Sequence, residues 1–522
     1  MTHTLQIIYG GTTVDLNDGS DIDVMAYQIG PVLLDSDNAV DTIRLRVLST
    51  SISNLQAEIA AINRALTEAR QRQSKGRGNR VYLKRQLDSE SNTYRSEILE
   101  IRTWPDDRAI DPKPYWSAKA VPYMVQITRV PYWENNSETE LELSNNGGTA
   151  ATGGQTVYNP SNLTPIINGD ITISYDTTDD SINDSANGLG SFAAGDVIIV
   201  RGSTSNDDVY TVVTAAAGKL TVVENLTTEA AGDTTYIYDV QNYVHIAAAQ
   251  VAGDVPTPCR VEITNSMETN SWQYHIGHNI LSNPASLSHV LEAEHADSSS
   301  ITVSATNSGG EYITSTWATD AETTIADWTL PTPLLNQAAG GDFRVIARFQ
   351  VSTNVTDTKF RLKVLYGTTV IYSGAQVQPD SAFSYLIRDL GVVTLPPWLQ
   401  DSGTIAPVVL RLTGQIVGGT TITLDCLALH CLDGYRYLEP IGTGIPGSSR
   451  LVDDGILGEL YVDTGASTAR AAYYNGVGKS IMLKPNAAQR LYFMTASSVA
   501  NTAEVDRASS IRIYYRDRRL TI

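Results

Sequence analysis

The sequence predicts a mainly β, multidomain protein, and three observations carry that prediction. The chain has 522 residues, whereas a single domain usually stops growing at roughly 250 to 300 residues. Charged residues make up only 18% of it, and tyrosine is plentiful at 26. Short runs of alternating apolar and polar residues recur between turns rich in glycine, asparagine and threonine, a pattern typical of strands. We therefore expect about three or four domains, most of them built from sheets.

Residues 1–134 are predicted to form an α+β domain, a β-sandwich with one long helix. The alternating stretch TIRLRVLS precedes the helix, and the strand-like stretches NRVYLKRQL, YRSEILEIRTW and PYMVQITRVPYWE follow it. In SISNLQAEIAAINRALTEARQRQ, Ser53 and Gln56 are spaced as a capping box. Arg70, Arg72 and Lys75 suit the negative end of the helix dipole. One apolar stripe, with steps of three and four, is formed by Leu55, Ile59, Ile62, Leu66 and Ala69.

Residues 135–240 are predicted to form a small inserted β-domain with loops, a barrel or a partial sandwich. Up to about residue 187 the density of glycine, asparagine, threonine and serine indicates long loops or a short-stranded excursion. The stretch FAAGDVIIVRGSTSNDDVYTVV then places an apolar run, 197–200, before a polar turn, 202–208, and a second β-rich run, 209–213. This order predicts a β-hairpin.

The remaining sequence is predicted to be β-sandwich. Residues 291–440 contain ITVSAT, FRVIARFQVS, KFRLKVLYG, VVLRLTG and TITLDCLALHC, a spacing of strands typical of a jelly roll. The strand patterns of 241–290 and 441–522 indicate further β-sandwich structure, and the sequence leaves open whether the two segments pair as one domain interrupted by the jelly roll.

Charge and cysteine content exclude several classes of protein. With 57 acidic and 37 basic residues the formal charge is −20, which argues against specific nucleic-acid binding and anionic-membrane binding. The sequence has neither the pattern of a signal peptide nor a membrane-spanning apolar run, so we expect no membrane insertion. Three cysteines, Cys259, Cys426 and Cys431, are too few to staple so long a chain and indicate folding in a reducing cytoplasm.

Three motifs are weighed for cofactor or metal binding, and none is assigned. Gly442, Gly444 and Gly447 match G-x-G-x-x-G, but Pro446 follows where a helix should open, which favours a linker. In DCLALHC the alternation of a strand places Asp425 and Cys431 on one face and Cys426 and His430 on the other, so four ligands cannot converge. In HIGHN, His275 and His278 lack a nearby third ligand. The expectation is no cofactor and no metal.

Catalytic signatures are also missing, since the sequence has neither G-x-S-x-G nor a P-loop. Acidic residues near aromatic ones, in GYRYLEP and LVDDG, are interpreted as solvated turn acids. We therefore predict no catalytic residues and no enzymatic activity. The candidate contacts for a glycan are Trp317, Trp328 and Trp398, whose indole faces could stack on sugar rings; the alternative is that they plug the sandwich core.

Several segments resemble structural proteins of long-tailed bacteriophages, in particular the distal tail protein family. They are RLRVLS before the helix, VYLKRQL and VPYWE after it, GDVIIVRGS with SNDDVYTVV, GDVPTPCRVEITN, DLGVVTLPPW and IRIYYRDRRLTI. The last three also resemble tail proteins with galectin-like or carbohydrate-binding-module-like parts. The chain departs from a minimal distal tail protein by its length, with at least two extra β-domains.

The resemblance implies a structural protein of the virion tail, assembled in the host cytoplasm. It implies a homo-hexameric ring that joins the tail tube protein to baseplate or tail-tip proteins, with accessory domains facing the host surface and its glycans. Two alternatives stay open: a carbohydrate-binding adhesive surface protein, and a tail-associated glycan depolymerase.

Overall fold

A computed structural model describes most of the chain. The described residues are 4–17, 22–28, 30, 38–73, 80–86, 92–104, 120–143, 155–156, 165–194, 196–239, 243–246, 248–265, 272–281, 290–293, 296–297, 301–303, 311–316, 321–330, 342–351, 358–378, 386–395, 406–416, 421–432, 434–440, 449–463, 470–471, 474–497 and 507–520. Within them the protein is mainly β, with one α-helix and several separate sheets, as predicted.

The described residues up to Ile246, nearly the first half of the chain, contain the helix and eighteen strands. They are β1 (Thr4–Tyr9), β2 (Thr12–Asp15), β3 (Ile22–Gln28), β4 (Ala39–Leu48), α1 (Ile52–Gln73), β5 (Val81–Gln86), β6 (Tyr94–Trp104), β7 (Ala120–Arg129), β8 (Trp133–Asn135), β9 (Thr139–Leu143), β10 (Gln155–Thr156), β11 (Ile167–Asp170), β12 (Ile173–Asp176), β13 (Ser181–Asp184), β14 (Val197–Arg201), β15 (Val209–Ala216), β16 (Lys219–Val222), β17 (Thr235–Asp239) and β18 (Tyr243–Ile246). A 3-10 turn, Gly188–Ser191, lies between β13 and β14.

The described strands that follow are β19 (Thr257–Pro258), β20 (Arg260–Asn265), β21 (Trp272–Leu281), β22 (Val290–Glu292), β23 (Ile301–Val303), β24 (Glu311–Thr316), β25 (Thr323–Thr329), β26 (Asp342–Val351), β27 (Thr358–Tyr366), β28 (Thr369–Ser373), β29 (Leu386–Thr394), β30 (Val408–Ile416), β31 (Thr421–Cys431), β32 (Tyr435–Pro440), β33 (Arg450–Asp454), β34 (Glu459–Asp463), β35 (Arg470–Ala471), β36 (Tyr474–Gly478), β37 (Met482–Leu483), β38 (Ala488–Ser497), β39 (Arg507–Tyr515) and β40 (Arg518–Arg519).

Two compact units divide the chain. The N-terminal unit consists of Met1–Thr139, Val251–Thr257 and Tyr515–Ile522, so it contains both ends of the sequence. The second unit consists of Glu140–Gln250 and Pro258–Tyr514. The domain boundaries expected at residues 134, 240, 290 and 440 stay a prediction.

The helix α1 buries the predicted apolar stripe. Leu55, Ile62, Leu66 and Ala69 are each at most 3% exposed, and Ile59 packs partly buried against the same core. The cap differs from the prediction. The hydroxyl of Ser51, not Ser53, accepts a hydrogen bond from the backbone N–H of Asn54 at 3.2 Å, so the helix is capped two residues earlier than the capping box predicted. Among the described residues no helix is both long and apolar enough to span a membrane.

The N-terminal unit is organised by one long strand. β6 pairs with β5 over its first half and with β7 over its second, with a register shift between Ile98 and Glu100. The resulting sheet has the order β2-β1-β5-β6-β7-β4-β3, and β8 and β40 pair beside β6. A bulge lets a strand bend and twist more strongly, so one strand can serve two sheet segments. The C-terminal strand β40 thereby completes the unit that the first residues begin.

The predicted hairpin is confirmed within a larger sheet. β14 and β15 pair antiparallel, with Ile198 opposite Tyr210, in a seven-stranded sheet of order β11-β17-β14-β15-β16-β13-β12. Strands β11, β12 and β13 lie in the segment for which the sequence left long loops or a short-stranded excursion open. Ile182, Ile198, Val212 and Ile237 are fully buried in the core of this sheet.

The rest of the second unit contains four larger sheets. Two of them, β23-β24-β31-β26-β29 with β22, and β25-β30-β27-β28, share one apolar core that includes Phe349, Phe360 and Leu410. The other two have the orders β18-β38-β21-β32-β36 and β10-β39-β20-β33-β34-β35. Each of these last two sheets combines strands from before and after residues 290–431, so that intervening segment is inserted between pairing partners.

Candidate interaction surface

A pocket of about 370 Å³ lies in the N-terminal unit. The strands β1 and β5 supply one side of it and β3 and β4 the other, although these pairs stand at opposite ends of the strand order. The pocket is lined by Thr4, Leu5, Asn17, Asp23, Val24, Met25, Tyr27, Arg46 and Arg85. The register shift in β6 is consistent with this arrangement, because a β-bulge bends a strand and can turn the two halves of a sheet towards each other.

The charged side chains that line this pocket are two arginines and one aspartate. Arg46 Nη2 lies 2.6 Å from Asp23 Oδ2, and both side chains are partly exposed. The guanidinium of Arg85 lies 5.2 Å from the centre of the Tyr27 ring, a cation–π distance. The backbone N–H of Val24 donates to Asn17 Oδ1 at 3.4 Å. The pocket therefore has mixed polarity, with one more positive than negative side chain in its lining.

Behind the pocket Tyr27 is held as a neutral phenol. Its hydroxyl donates to Asp41 Oδ2 at 2.8 Å. Arg129 Nε also donates to this oxygen, at 2.7 Å, and Asp41 and Arg129 are at most 1% exposed. Burial and the neighbouring Asp41 carboxylate raise the pKa of Tyr27 well above its usual value. The Asp41 carboxylate thus contacts both the Tyr27 hydroxyl and the Arg129 guanidinium, and these three side chains hold one another in place.

The edge strands beside the pocket are open on one side. In the part of the N-terminal unit that the structure describes, β2 pairs only with β1, and β3 pairs only with β4. Met25 on β3 is an exposed apolar side chain at this edge, with 62% of its surface accessible. Unpaired strand edges present free N–H and C=O groups to a further strand. This surface, comprising β2, β3 and the pocket, is called the seam surface below.

The metal candidates of the sequence do not form a set of three or more ligands in the described part of the chain. Asp425 is fully buried and forms an ion pair with Arg348, and Cys426 is fully buried. The side chain of Cys431 lies outside the described residues. His275 Nδ1 lies 2.8 Å from the hydroxyl of Tyr435, whereas His278 Nε2 lies 2.7 Å from Gln489 Oε1. Over the described ranges no group of three or more histidine, cysteine, aspartate and glutamate side chains could hold a metal ion.

The acids near aromatic residues also have structural partners. Asp453 accepts hydrogen bonds from Arg436 Nε at 2.9 Å and Nη2 at 2.8 Å. Asp454 Oδ1 accepts from the backbone N–H groups of Ile456 at 3.0 Å and Leu457 at 2.9 Å, which closes the turn between β33 and β34. Both acids are only 3% exposed, so the expectation of solvated turn acids is wrong for their exposure. Gly442, Gly444 and Gly447 lie outside the described residues.

The three candidate glycan contacts are not brought together by the described structure. Trp328 is 3% exposed and packs in the core shared by the two sheets of residues 290–431. Its position favours the core-packing alternative. Trp317 and Trp398 lie outside the described residues, so glycan contact by these two stays a prediction.

The polar turn of the hairpin has an anchor that the sequence analysis missed. The Glu229 carboxylate accepts hydrogen bonds from the backbone N–H groups of Thr204 at 2.8 Å and Ser205 at 3.1 Å, and from Asn206 Nδ2 at 2.8 Å. Thr204 also donates through its hydroxyl to Asp233 at 2.6 Å. No local signal could have shown this contact, because the anchor lies more than twenty residues from the turn along the chain. The turn is therefore an ordered structural element.

Comparison with known proteins finds weak structural similarity only. No protein-family model and no curated protein matches the sequence. The SPP1 Dit protein is 7% identical, with 99% of each chain covered and a TM-score of 0.27. A chain of the phage P2 baseplate is 6% identical, covering 81% of this chain and 98% of that one, with a TM-score of 0.19. A chain of the bacteriophage Tuc2009 baseplate tripod is 11% identical, covering 49% and 96%, with a TM-score of 0.20. Similarity at this level carries no argument about function.

Proposed function

We propose that this chain is a structural component of a bacteriophage tail, a distal tail protein whose six copies form a ring through the N-terminal unit. The observation that carries the proposal is the seam surface. A closed ring built from head-to-tail contacts requires two different surfaces on every subunit. The strands β2 and β3 provide two such edges, each paired on one side only among the described residues.

The segments that resemble distal tail proteins support this choice of unit. VYLKRQL contains the residues of β5, and VPYWE runs into β8. The C-terminal IRIYYRDRRLTI continues through β39 into β40, which pairs with β8. Three quoted segments thus contribute strands to the same unit, although they come from distant parts of the sequence.

A non-catalytic role agrees with how the described polar groups are used. The tyrosine behind the pocket is a neutral hydrogen-bond donor to a carboxylate that arginine already occupies. The acids Asp453 and Asp454 hold an arginine and a turn. We propose that the chain has no enzymatic activity. Its proposed partners are further copies of itself, the tail tube protein and baseplate or tail-tip proteins, with a host surface glycan as a partner for the second unit.

The native mass of the full chain tests the proposal. Light scattering coupled to size exclusion should give a particle of six copies, and the same stoichiometry is expected in assembled tails. A trimer would indicate a fibre or spike instead. A monomer that binds glycans on an array would favour the adhesive surface protein, and polysaccharide cleavage by the purified chain would favour the depolymerase.

One substitution tests the seam surface directly. Met25→Lys places a charge on the exposed edge of β3, and we expect it to shift the hexamer towards smaller species because an edge charge opposes strand pairing. Met482→Lys is the matched control, since Met482 is 41% exposed but lies in the second unit. Circular dichroism should show both variants folded. If Met25→Lys leaves the hexamer intact, or Met482→Lys dissociates it equally, the ring contact does not use β3.

A further inference from the structure

In the second unit, the side chain of His430 on one sheet packs against the backbone of a strand in another sheet. A Cβ at Gly277 on β21 would overlap the imidazole of His430 on β31, so the ring lies directly on the glycine backbone. Tyr435 and Tyr492 are the cross-strand partners of Gly277 on its two neighbouring strands. The His430 ring centre is 6.3 Å from each of these tyrosine rings. We call His430, His275, Gly277, Tyr435 and Tyr492 the histidine seat.

The second histidine lines the same seat. His275 lies two residues from Gly277 and therefore on the same face of β21. Its Nδ1 lies 2.8 Å from the Tyr435 hydroxyl, and its ring stacks on Tyr437 with centres 4.3 Å apart. His275 and His430 are 2% and 1% exposed. A glycine inside a strand signals close approach of another group, and here that group is an imidazole from the neighbouring sheet.

The described surroundings of the seat are poorly suited to a positive charge. Neither ring nitrogen of His430, nor Nε2 of His275, has a hydrogen-bond partner among the described residues. Burial lowers the pKa of His430 to about 3. Burial, and then the charge of His430, lower the pKa of His275 well below its usual value.

The charged groups nearest the seat do not offset this. Arg344 on β26 is the register partner of His430, and its guanidinium lies 5.0 Å from the Tyr435 ring. Asp389 on β29 forms an ion pair with that arginine. On β38, Arg490 is buried two residues from Tyr492, on the same face. The flanking Tyr435, Tyr437 and Tyr492 are phenols, so the charged side chains that the described part of the chain places nearest the histidines are two arginines and a carboxylate already paired with one of them.

We propose that the histidine seat is an acid-sensitive joint: uptake of protons by His275 and His430 drives His430 out of the seat and separates β31 and its sheet from β21. The two sheets are packed on each other only while both imidazoles are neutral. Below the ordinary histidine pKa of about 6.5 the open arrangement binds more protons than the closed one, so opening is favoured as the pH falls. Above that pH the joint is closed. The inference is independent of the proposed ring.

Hydrogen exchange read by mass spectrometry tests the joint in the full chain. Exchange of β21 and β31, corrected for the intrinsic effect of pH, reports the opening equilibrium between pH 7 and 5. Each proton taken up on opening makes that equilibrium about tenfold more favourable per pH unit. For the natural chain we expect the logarithm of the opening equilibrium constant to rise by nearly two for each unit that the pH falls. A slope of zero would overturn the proposal.

Substitutions of His430 test whether the pH dependence of opening comes from the histidine seat. His430→Phe keeps an aromatic ring and removes one titrating group, so the slope should fall by about one. His430→Gln tests the same point if the larger ring of phenylalanine prevents folding. His278→Gln is the matched control, because His278 lies on the same strand, is buried, and faces Gln489. If the His430 variants keep the full slope, or His278→Gln lowers it equally, the histidine seat is not the joint.

Discussion

The N-terminal unit and the histidine seat bury polar side chains in different ways. Near the seam surface, Arg129 and Asp41 form an ion pair that is buried in the core. Arg129 Nε lies 2.7 Å from Asp41, Nη1 donates to the Val130 carbonyl oxygen at 3.0 Å, and the guanidinium lies 4.4 Å from the Trp133 ring. In the seat, His275 and His430 are surrounded by tyrosines and have few hydrogen bonds.

The difference teaches which condition disturbs each region. A buried ion pair is tolerated only when both partners are present, and removal of one leaves an uncompensated charge. A buried neutral imidazole has no charge that requires a counter-ion, but its burial becomes far more costly as soon as it gains a proton. The first region is therefore sensitive to mutation of either partner, and the second to pH.

The largest expected effect is at the ion pair. Arg129→Ala leaves Asp41 charged and buried, and we expect a loss of about 3 to 5 kcal/mol in the free energy of unfolding. Urea unfolding of the full chain, monitored by hydrogen exchange of β4 and β7 in the N-terminal unit, measures this free energy. The control is Arg46→Ala, which removes a partly exposed ion pair and should cost less than about 1 kcal/mol. Equal losses in the two variants would contradict the importance of burial.

An intermediate effect is expected at the floor of the histidine seat. Gly277→Ala adds a methyl group where the His430 ring lies, and overpacking of this kind costs about 1 to 3 kcal/mol. Opening of β21 and β31 should then be raised already at pH 7, where no proton is involved.

Gly190→Ala provides the comparison for that substitution. A Cβ at Gly190 would contact Ala217 at an ordinary 3.6 Å, so this variant should change stability by less than about 0.5 kcal/mol. If Gly277→Ala destabilises the protein no more than Gly190→Ala does, the His430 ring packs less tightly against Gly277 than the structure indicates.

The smallest expected effect concerns a third way of accommodating charge, at the turn of the hairpin. Glu229 is satisfied by two backbone N–H groups and one side-chain amide. Glu229→Gln keeps the shape but replaces charge-assisted hydrogen bonds with neutral ones, so we expect a loss of about 1 kcal/mol. Faster exchange at Thr204 and Ser205 alone is the expected signature. Faster exchange throughout β14 and β15 would show instead that the turn holds the whole hairpin.

Much of the secondary structure could be predicted from local patterns. The stripe of α1, the alternation in β4 and β5, and the hairpin of β14 and β15 are each properties of fewer than about twenty-five consecutive residues. The cap of α1 was misplaced because Ser51 and Ser53 are both good capping residues, and only the backbone path decides which hydroxyl reaches an N–H group. Trp328 was assigned two alternative roles, and its burial depends on which sheets face each other.

The sites depended on contacts that no local pattern encodes. The sequence showed His275, His278 and His430 as candidate ligands and paired His275 with His278. In the structure His275 instead lies with His430, 155 residues later in the chain, and His278 faces the other side of β21. The glycine between the two histidines of HIGHN was the one available signal, since a strand glycine marks a close approach. The sequence could not name the approaching residue.

The sequence by itself determined that the chain is mainly β, where its helix lies and which strands alternate, because side-chain periodicity is set by neighbours along the chain. The tertiary structure decided which strands became partners: it joined β40 to β8 and set β21 between β32 and β38. It also decided which polar groups lost contact with water. Burial depends on what a sheet packs against, and that is a property of segments hundreds of residues apart.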